Sequence, residues 1–345
     1  MKTVYVGLSG GVDSAVAAHL LRTQGFNVVG AFIKIWQPEF TACTWEQDRL
    51  DAKRVAAALK IPFREIDLSK EYKDSVIADL VEGYREGRTP NPDVLCNRVI
   101  KFGHFRKWAH DDGADMVATG HHAQIAHSPQ KQCLNLVRGA DANKDQSYFL
   151  WQLTQDDLMH TLMPVGALKK TRVREVAREA GLPVASRPDS QGLCFVGDVD
   201  MRTFLSHYIS VTPGEVIALD GNVIGQHDGA ALYTLGARHG LHISDQKHAG
   251  VPQYVVAIDI DRNQIKVAPD ITTALRKDAV LRDTNWISGT TPMGTLQAEV
   301  RYRQGAQACT VKKGEVTFST PQLLTAGQSC VVYDGDICLG GGVIV

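Results

Sequence analysis

The stretch "GLSGGVDSAV", residues 7–16, decides the fold of this 345-residue chain. It follows "TVYVGL" (residues 3–8), a short β-branched and aromatic run that predicts a buried parallel strand. It leads into "AVAAHLLRTQG" (residues 15–25), where apolar residues recur at helical spacing up to a glycine. A strand, a glycine turn and a helix together place backbone N–H groups and the positive end of a helix at a sheet edge. The stretch therefore predicts an anion-binding loop.

This loop differs from the two common phosphate loops. It has no lysine for the Walker pattern G-x-x-x-x-G-K-[ST], and Gly7, Gly10 and Gly11 are wrongly spaced for the dinucleotide pattern G-x-G-x-x-G. Asp13 is the unusual member, because an acid among phosphates suits a magnesium-bound pyrophosphate or a cap on the helix. The alternative is an ordinary helix start capped by serine or aspartate.

The chain as a whole changes character near residue 205. Before it, predicted strands and helices alternate, which favours a doubly wound, mostly parallel α/β sheet. The predicted strands are residues 27–36, 62–68 and 114–122, and the predicted helices are residues 45–61 and 169–184. After it, D-G-N and H-D-G turns are typical of antiparallel hairpins, and the short strands and glycine turns from about residue 279 onward predict a small barrel. We expect an α/β domain over residues 1–204, a β-rich domain over 205–275 and a β-barrel over 276–345.

Composition argues against a strongly basic nucleic-acid-binding protein, a membrane protein and a disulfide-rich secreted protein. The formal net charge is −1, so any contact with nucleic acid must come from local basic patches, such as residues 97–107, 168–174 and 300–303. We find no signal peptide and no apolar run long enough to span a membrane, which predicts a cytoplasmic protein. The seven cysteines are irregularly spaced without C-x-x-C, which argues against a disulfide framework and gives little support to zinc.

A second dense motif is "GRTPNPDVLCNRVIKFGHF", residues 87–105. Pro92 suits the first turn of a helix, and on that helix Asp93 and Cys96 share a face. Arg98 and Lys101 follow closely and favour a thiolate. A carboxylate beside an activated thiol is an acid/base and nucleophile pair. A helix start with a buried cysteine fits the spacing equally well.

A third motif, "SRPDSQGLCFVGD" (residues 186–198), places Cys194 in a polar, turn-rich loop. With Cys96, it suggests thiol chemistry in one cleft. His121 and His122 are adjacent, so on a strand their side chains point apart. This favours a nucleotide-site or structural role for the two histidines over metal binding.

The loop S-G-G-x-D-S resembles the PP-loop of ATP pyrophosphatases, which split ATP between the α and β phosphates and activate an oxygen as an adenylate. With "NKDQSYFL" (residues 143–150), "DSQGLCF" (189–195), "RYRQ" (301–304) and "YDGDICLGGG" (333–342), the whole chain resembles the bacterial tRNA-specific 2-thiouridylases. The departures from the family pattern are mild: Leu8 and Ile33 stand where methionine is common, and Ala237 replaces a frequent glutamine.

The resemblance implies roles for individual residues. The ATP site would comprise Gly7, Leu8, Ser9, Gly10, Gly11, Val12, Asp13, Ser14, Ile33 and Gly120. The target base would be met by Asn91, Pro92 and Asp93, and tRNA by Lys144, Asp145, Gln146, Arg301 and Tyr302. Cys96 would be the nucleophile, Cys194 the persulfide carrier and Asp93 a proton shuttle.

The resemblance also implies the reaction and the partners. AMP from ATP, with Mg²⁺, would be transferred to the C2 oxygen of the wobble uridine, position 34 of the tRNA, and sulfur would then replace that oxygen. The sulfur would come from a persulfide donor protein, a Cys96–Cys194 disulfide would form, and the tRNAs would be those for Lys, Glu and Gln.

Two alternatives stay open at this point. One is another PP-loop enzyme, such as a lysidine-type tRNA ligase or a small-molecule synthetase, which would need neither Cys96 nor Cys194. The other is a non-catalytic, ATP-sensing RNA-binding module, which would bind tRNA without releasing pyrophosphate.

Overall fold

The structure is a computed structural model that describes residues 1–41, 45–128, 133–189, 200–248 and 250–345. The α-helices are α1 Val12–Thr23, α2 Trp45–Ala58, α3 Ser69–Tyr72, α4 Ala78–Arg85, α5 Pro92–Leu95, α6 Arg106–Asp111, α7 Gln155–Met159, α8 Lys170–Glu179 and α9 Met201–Ser206. Two π-helical segments, Lys73–Ile77 and Cys96–Phe105, join α3 to α4 and α5 to α6. Short 3₁₀ segments cover Ser147–Leu150, Ala230–Leu232 and Ile271–Ala274.

The strands fall into three sheets. They are β1 Thr3–Gly7, β2 Asn27–Lys34, β3 Phe63–Asp67, β4 Met116–Ala118, β5 Ala123–His127, β6 Leu134–Arg138, β7 Thr161–Leu162, β8 Gly214–Ile217, β9 Val223–His227, β10 Leu241–Ile243, β11 Tyr254–Asp259, β12 Gln264–Ala268, β13 Arg276–Trp286, β14 Leu296–Glu299, β15 Gln307–Lys312, β16 Glu315–Gln322, β17 Ser329–Asp334 and β18 Ile337–Ile344.

The first sheet is parallel throughout and runs in the order β3-β2-β1-β4-β7. One buried cluster joins α1, α2 and α8 to one face, and a second joins α4, α9 and the π-helical segment 96–105 to the other. The chain moves outward from β1 to β3 and then returns to β4 on the opposite side of β1. Ligands bind α/β sheets at the carboxyl ends of the strands where the order reverses in this way. The predicted doubly wound α/β fold is confirmed.

The second sheet has the order β10-β9-β8-β12-β11, with β8 and β12 parallel and the other neighbours antiparallel. The hairpin predicted at the D-G-N turn is β8–β9. Gly221 adopts a φ of +89° there, and Asp220 accepts a hydrogen bond from the Asn222 N–H at 3.1 Å. Glycine is suited to this left-handed conformation because it has no Cβ.

The third sheet contains the predicted barrel. β13, β16, β15, β14, β17 and β18 pair in that order, and β18 pairs back with β13, which closes six strands. β18 also pairs with β6, where Ile337 lies opposite Val137 and Cys338 lies opposite Leu136. The hairpin β5–β6, which comes from the first part of the chain, therefore extends the sheet of the barrel. The sequence patterns do not predict this hairpin.

The ends of predicted elements shift by a few residues. Gly25 and Gly181 adopt φ of +87° and +62° just after α1 and α8, as expected for glycines that end helices. The helix predicted over residues 45–61 ends at Ala58, and Lys60 takes a left-handed φ of +51°. Among the described residues, no helix has the length and apolar character needed to cross a membrane.

Candidate active site

The predicted anion-binding loop joins β1 to α1 at the point where the strand order of the parallel sheet reverses. The N-cap of α1 is Gly11, which has no side chain to accept hydrogen bonds from the first turn of the helix. Gly10 has a φ of +76°, and a Cβ there would lie 2.6 Å from the Asp48 carbonyl oxygen. The backbone thus needs glycine at Gly10, and the N–H groups of the first turn face the edge where anions bind.

Two serines hold the curve of this loop. The Ser14 hydroxyl donates to the Gly11 carbonyl at 3.1 Å and accepts from the Ser9 N–H at 3.2 Å. The Ser9 hydroxyl accepts from the Gly11 N–H at 3.3 Å. The loop is therefore preorganised by its own side chains, which lowers the entropy lost when a ligand is bound.

Asp13 lies in the first turn of α1 and does not cap the helix. Its carboxylate accepts two hydrogen bonds of 2.7 Å from Lys170 and lies 3.2 Å from His122 Nε2. Burial raises the pKa of Asp13, but hydrogen bonds from His122 and Lys170 outweigh it and hold the pKa below its ordinary value. The acid in the loop is therefore ionised and neutralised by a lysine that is distant in sequence.

The other residues predicted to meet ATP surround the same loop. Gly120 packs against α1 so closely that a Cβ would lie 2.6 Å from the Ser14 backbone nitrogen. Ile33 lies beside Gly7, where a Cβ would be 3.7 Å from Ile33 Cδ1. Leu8 and Val12 are 2% and 3% exposed, so any contact they make with a nucleotide would use their backbone. The ends of β2 and β4, on either side of β1, thus contribute residues around the loop.

The second motif forms a helix start, as predicted. Asn91 is the N-cap and its side chain accepts from the N–H groups of Asp93 and Val94, while Pro92 occupies the first helical position. Cys96 is buried and begins the π-helical segment. π-helical turns are rare and are frequent at functional sites. Burial raises the pKa of Asp93, and the charge of Lys101 offsets only part of this.

A cavity of about 260 Å³ opens beside Asn91, Pro92 and Asp93. Its other lining residues come from α4, α9, the approach to the motif and the barrel: Leu80, Tyr84, Thr89, Pro90, Met201 and Gln328. Four parts of the chain therefore surround the residues that we predict to contact the target base.

His121 and His122 have different partners, in agreement with the prediction that they point apart. His121 Nδ1 lies 2.8 Å from the Thr119 hydroxyl, and His121 Nε2 lies 3.5 Å from Lys101 Nζ. Burial, with the nearby charge of Lys101, holds the pKa of His121 well below its ordinary value. His121 is therefore a neutral imidazole between the sheet edge and the helix of Cys96.

The segment predicted to meet tRNA is partly engaged inside the protein. Lys144 binds Asp189 at 2.6 Å, and Gln146 accepts from the His122 N–H at 2.9 Å. Asp145 is buried, pairs with Arg138 at 2.9 Å and accepts from the Ser147 hydroxyl. The Asp145 carboxylate therefore stabilises the hairpin, and a contact between Asp145 and tRNA stays a prediction.

The barrel brings Arg301 and Tyr302 next to this segment. The Tyr302 ring lies 4.4 Å from the Phe149 ring, measured between centroids. Arg301 donates to the Leu235 carbonyl at 3.0 Å and to the Thr325 hydroxyl at 3.1 Å, which ties the second sheet to the barrel. Two stretches 150 residues apart in sequence thus form one surface. Of the basic patches, Arg106, Lys107 and Arg172 are already in ion pairs.

Cys194 lies outside the described residues. Asp189, five positions before it, is held by Lys144, Lys170 and Arg174. Met201, seven positions after it, lines the cavity next to Asp93. The described chain on either side of Cys194 thus reaches both the loop of Asp13 and the surroundings of Cys96.

Several contributors are not predicted from the sequence. Arg187 donates to the Gly10 carbonyl at 3.1 Å and pairs with Asp48 and Asp51, so it supports the loop from outside. Lys170 belongs to the basic patch predicted over residues 168–174, but its side chain is buried. A pattern of charges along a helix cannot show which lysine meets a buried carboxylate of another helix.

Comparison with known proteins agrees with this geometry. The family described as the tRNA methyl transferase HUP domain matches residues 2–198, the tRNA methyl transferase PRC-barrel domain matches 202–269, and the aminomethyltransferase beta-barrel domain matches 276–344. The tRNA-specific 2-thiouridylase of Paracidovorax citrulli is 44% identical over 99% of this chain and 95% of its own length. Those of Listeria monocytogenes and Nitrosomonas europaea are also 44% identical, over 94% and 98% of their lengths.

The chain belongs to the tRNA-specific 2-thiouridylase family. The resemblance inferred from the motifs is confirmed. The motifs that identify a 2-thiouridylase are far apart in the sequence, and segment 143–150 contacts three of the others. Lys144 pairs with Asp189, the Phe149 ring lies 4.4 Å from the Tyr302 ring, and the Ser147 hydroxyl lies 3.2 Å from the Tyr333 hydroxyl.

Three other cysteines of this 2-thiouridylase family member have a different setting. Cys309, Cys330 and Cys338 are buried in the barrel, where burial raises the pKa of each thiol, to about 11 for Cys309 and about 12 for Cys338. Thiols of this kind are poor nucleophiles at neutral pH because the thiolate is scarce.

Proposed function

We propose that this protein uses ATP to replace the C2 oxygen of the wobble uridine of tRNA with sulfur, giving 2-thiouridine, AMP and pyrophosphate. The observation that carries the proposal is that the Cys96 segment packs beside the Asp13 loop, in a chain of the 2-thiouridylase family. A Cβ on Gly7 would lie 3.8 Å from the Phe105 ring, and Lys101 Nζ lies 3.5 Å from His121 Nε2. The family description mentions methyl transfer, whereas the named relatives are thiouridylases, and an acid and a thiol one helical turn apart suit the second chemistry.

The first chemical step is activation of the uridine. The C2 oxygen is a poor leaving group until AMP is attached to it, which releases pyrophosphate. The N–H groups at the start of α1, with Gly10, Gly11 and the Ser9–Ser14 pair, are suited to hold the phosphates as negative charge moves onto pyrophosphate. The backbone of Leu8 and Val12, with Gly7, Ile33 and Gly120, would line the rest of the nucleotide site.

Magnesium is expected to travel with the ATP phosphates. Among the described residues, no cluster of three histidine, cysteine, aspartate or glutamate side chains is placed to hold a metal ion. Both oxygens of Asp13 accept from Lys170, so in this arrangement Asp13 does not fit as a metal ligand. Magnesium bound to ATP commonly keeps several waters and few protein ligands, and it would neutralise phosphate charge.

The second step is sulfur transfer. A persulfide on Cys194, loaded by a donor protein, would bond through its terminal sulfur to C2, and AMP would leave with the former uridine oxygen. The Cys96 thiolate would attack the Cys194 sulfur, breaking the S–S bond and leaving a Cys96–Cys194 disulfide that an external thiol reduces. Asp93, whose pKa is raised by burial, is suited to carry a proton during these steps.

Recognition of tRNA would be divided between the parts of the chain. We propose that residues 1–204 carry the chemistry, and that residues 205–275 and 276–345 hold the tRNA. The proposed contacts are Asn91, Pro92 and Asp93 for the flipped base, and Lys144, Asp145, Gln146, Arg301 and Tyr302 for the surrounding loop. The partly exposed rings of Tyr302 and Phe149, which lie in contact, support this, since aromatic rings can stack on unpaired bases. We propose the tRNAs for Lys, Glu and Gln as substrates.

The deciding experiment is mass spectrometry of nucleosides from tRNA incubated with enzyme, ATP and a persulfide donor. We expect 2-thiouridine with the unchanged protein and none with Cys96→Ser or Cys194→Ser, while both variants still bind ATP. Cys309→Ala, in the barrel, is the matched control and should retain thiolation. Normal thiolation by either active-site variant would favour a ligase that does not use thiols, and tRNA binding without pyrophosphate release would favour a non-catalytic module.

A further inference from the structure

Five charged side chains form a connected ion-pair network beside the loop, which we call the Lys170 cluster. Its members are Asp13, Lys144, Lys170, Arg174 and Asp189. Lys170 Nζ lies 2.7 Å from both Asp13 oxygens and 2.9 Å from Asp189, and Asp189 also pairs with Lys144 and Arg174 at 2.6 Å each.

The position of the cluster follows from the packing of two helices. α1 and α8 belong to one buried cluster, through Val12 and Val16 of the first and Val173 and Ala177 of the second. Lys170 is the first residue of α8, and its N–H donates to the Asp141 carboxylate at 3.0 Å. Because Lys170 reaches the first turn of α1 from the first turn of α8, the positive ends of two helix dipoles converge on the cluster.

Lys170 differs from an ordinary surface lysine. Its side chain is only 11% exposed, and its ammonium lies at the loop that should hold phosphates. The carboxylates of Asp13 and Asp189 compensate its charge, as a buried cation requires. A phosphate that binds at the loop would therefore compete with one of these carboxylates for the Lys170 ammonium.

We infer that Lys170 is a binding residue for the pyrophosphate part of ATP, that Asp13 is the positioning residue that holds its ammonium at the loop, and that Asp189 occupies the ammonium until phosphates bind. This deepens the proposed function and rests on it for the identity of the nucleotide. The phosphates would bind the Lys170 ammonium in competition with Asp189, and Lys144 and Arg174 would keep Asp189 neutralised when Lys170 turns to the phosphates.

A purely structural role of the Lys170 cluster predicts a different result. If the cluster only stabilised the fold, removing any member would loosen the loop and weaken every ligand alike. If Lys170 binds phosphates in competition with Asp189, removing the lysine and removing the carboxylate change phosphate affinity in opposite directions. The sign of the second effect separates the two explanations.

The experiment is calorimetric binding of inorganic pyrophosphate and, separately, of AMP to the full-length protein and three variants. Lys170→Gln should weaken pyrophosphate binding by about tenfold or more, the usual effect of losing a charge-assisted contact, and leave AMP binding unchanged. Asp189→Asn should tighten pyrophosphate binding. Arg178→Gln, an exposed position two turns along α8, is the matched control and should leave both affinities unchanged.

Each possible result either supports or overturns the inference about Lys170. Unchanged pyrophosphate binding in Lys170→Gln, or weaker binding of both ligands in both cluster variants, overturns the inference. If Lys170→Gln does not fold, the sign of the Asp189→Asn effect decides. If the unchanged protein binds no pyrophosphate but still thiolates tRNA, the inference fails alone, and if it does neither, the proposed function fails as well.

Discussion

Gln328 of the barrel donates a hydrogen bond to the backbone carbonyl of Thr89, 2.6 Å away and two positions before Asn91. The Thr89 N–H donates to the Ala326 carbonyl at 2.8 Å, and its hydroxyl bonds Thr234 at 2.9 Å. The approach to the target-base residues is therefore held by the barrel and by the loop at Thr234, so a change in either region can alter the geometry around Asp93.

Replacement of Gln328 by alanine tests this link. We expect a twofold to tenfold slower thiolation, roughly the loss of one hydrogen bond worth about 0.5–1.5 kcal/mol, because the turn at Asn91 loses a restraint. ATP affinity should not change, since the Asp13 loop lies on other elements. Single-turnover thiolation with parallel calorimetry measures both quantities. Gln226→Ala, exposed on β9, should leave the rate unchanged, and an equal loss in both variants would contradict the role given to Gln328.

Gly120→Ala tests the close approach of the β4 end to α1. The added methyl would lie 2.6 Å from the Ser14 backbone nitrogen, so the loop or the strand must move. We expect a loss of about 1–3 kcal/mol in unfolding free energy and a clear fall in ATP affinity. Gly305→Ala is the control, because a Cβ there meets nothing within 4 Å. ATP affinity equal to that of the unchanged protein would show that the loop tolerates the shift.

Asp93→Asn should separate stability from activity. Burial raises the pKa of Asp93, so the unfolded chain releases this proton at a lower pH than the folded protein does. The carboxyl group therefore lowers the free energy of unfolding once the pH exceeds the ordinary aspartate range near 4, and asparagine removes that cost. We expect the variant to be more stable than the unchanged protein at pH 7 and to lose thiolation.

Urea denaturation as a function of pH measures this effect. The gain in stability should shrink as the pH falls and vanish below about 4, where Asp93 is protonated in both states. Asp261→Asn, at an exposed turn, should give no such gain. A variant that is less stable at pH 7 would show that the Asp93 charge is stabilised in the folded protein.

Arg138→Met should destabilise the junction of hairpin and barrel. Arg138 pairs with Asp145 at 2.9 Å and with Glu299 at 2.6 Å, and each of these carboxylate side chains is 8% exposed. The Arg138 guanidinium lies 3.7 Å from the centre of the Tyr333 ring. Removing the cation leaves two buried carboxylates together, which costs about 3–5 kcal/mol. Denaturant unfolding measures the loss. Arg262→Met, an exposed control, should cost less than about 1 kcal/mol, and a similar value for Arg138→Met would refute the role of the pair.

Local patterns predict much of this architecture. The Gly10–Gly11 turn, the helix-ending Gly25 and the Pro92 helix start all depend on short-range chemistry, and each appears where expected. The α/β class and the barrel follow from the spacing of strands, helices and turns. These features are predictable because their cause lies within a few residues of the feature itself.

Contacts between distant segments are harder to predict. Nothing near Lys170 in the sequence indicates Asp13, and nothing near Gln328 indicates Thr89. The predicted helix after Pro92 is also not a plain α-helix, since it becomes π-helical at Cys96. Such features depend on how whole elements pack against one another. The periodicity of residue types along one segment does not show which distant segment it will contact.

The pairing of Val137 with Ile337 has a consequence during synthesis on the ribosome. The outer edge of the β5–β6 hairpin has no barrel strand to pair with until residue 337 has emerged. At about 5–20 residues per second, this nascent edge stays open for roughly 10–40 seconds. An open strand edge templates association with other chains, so newly made copies of this protein should depend on chaperones until translation has nearly finished.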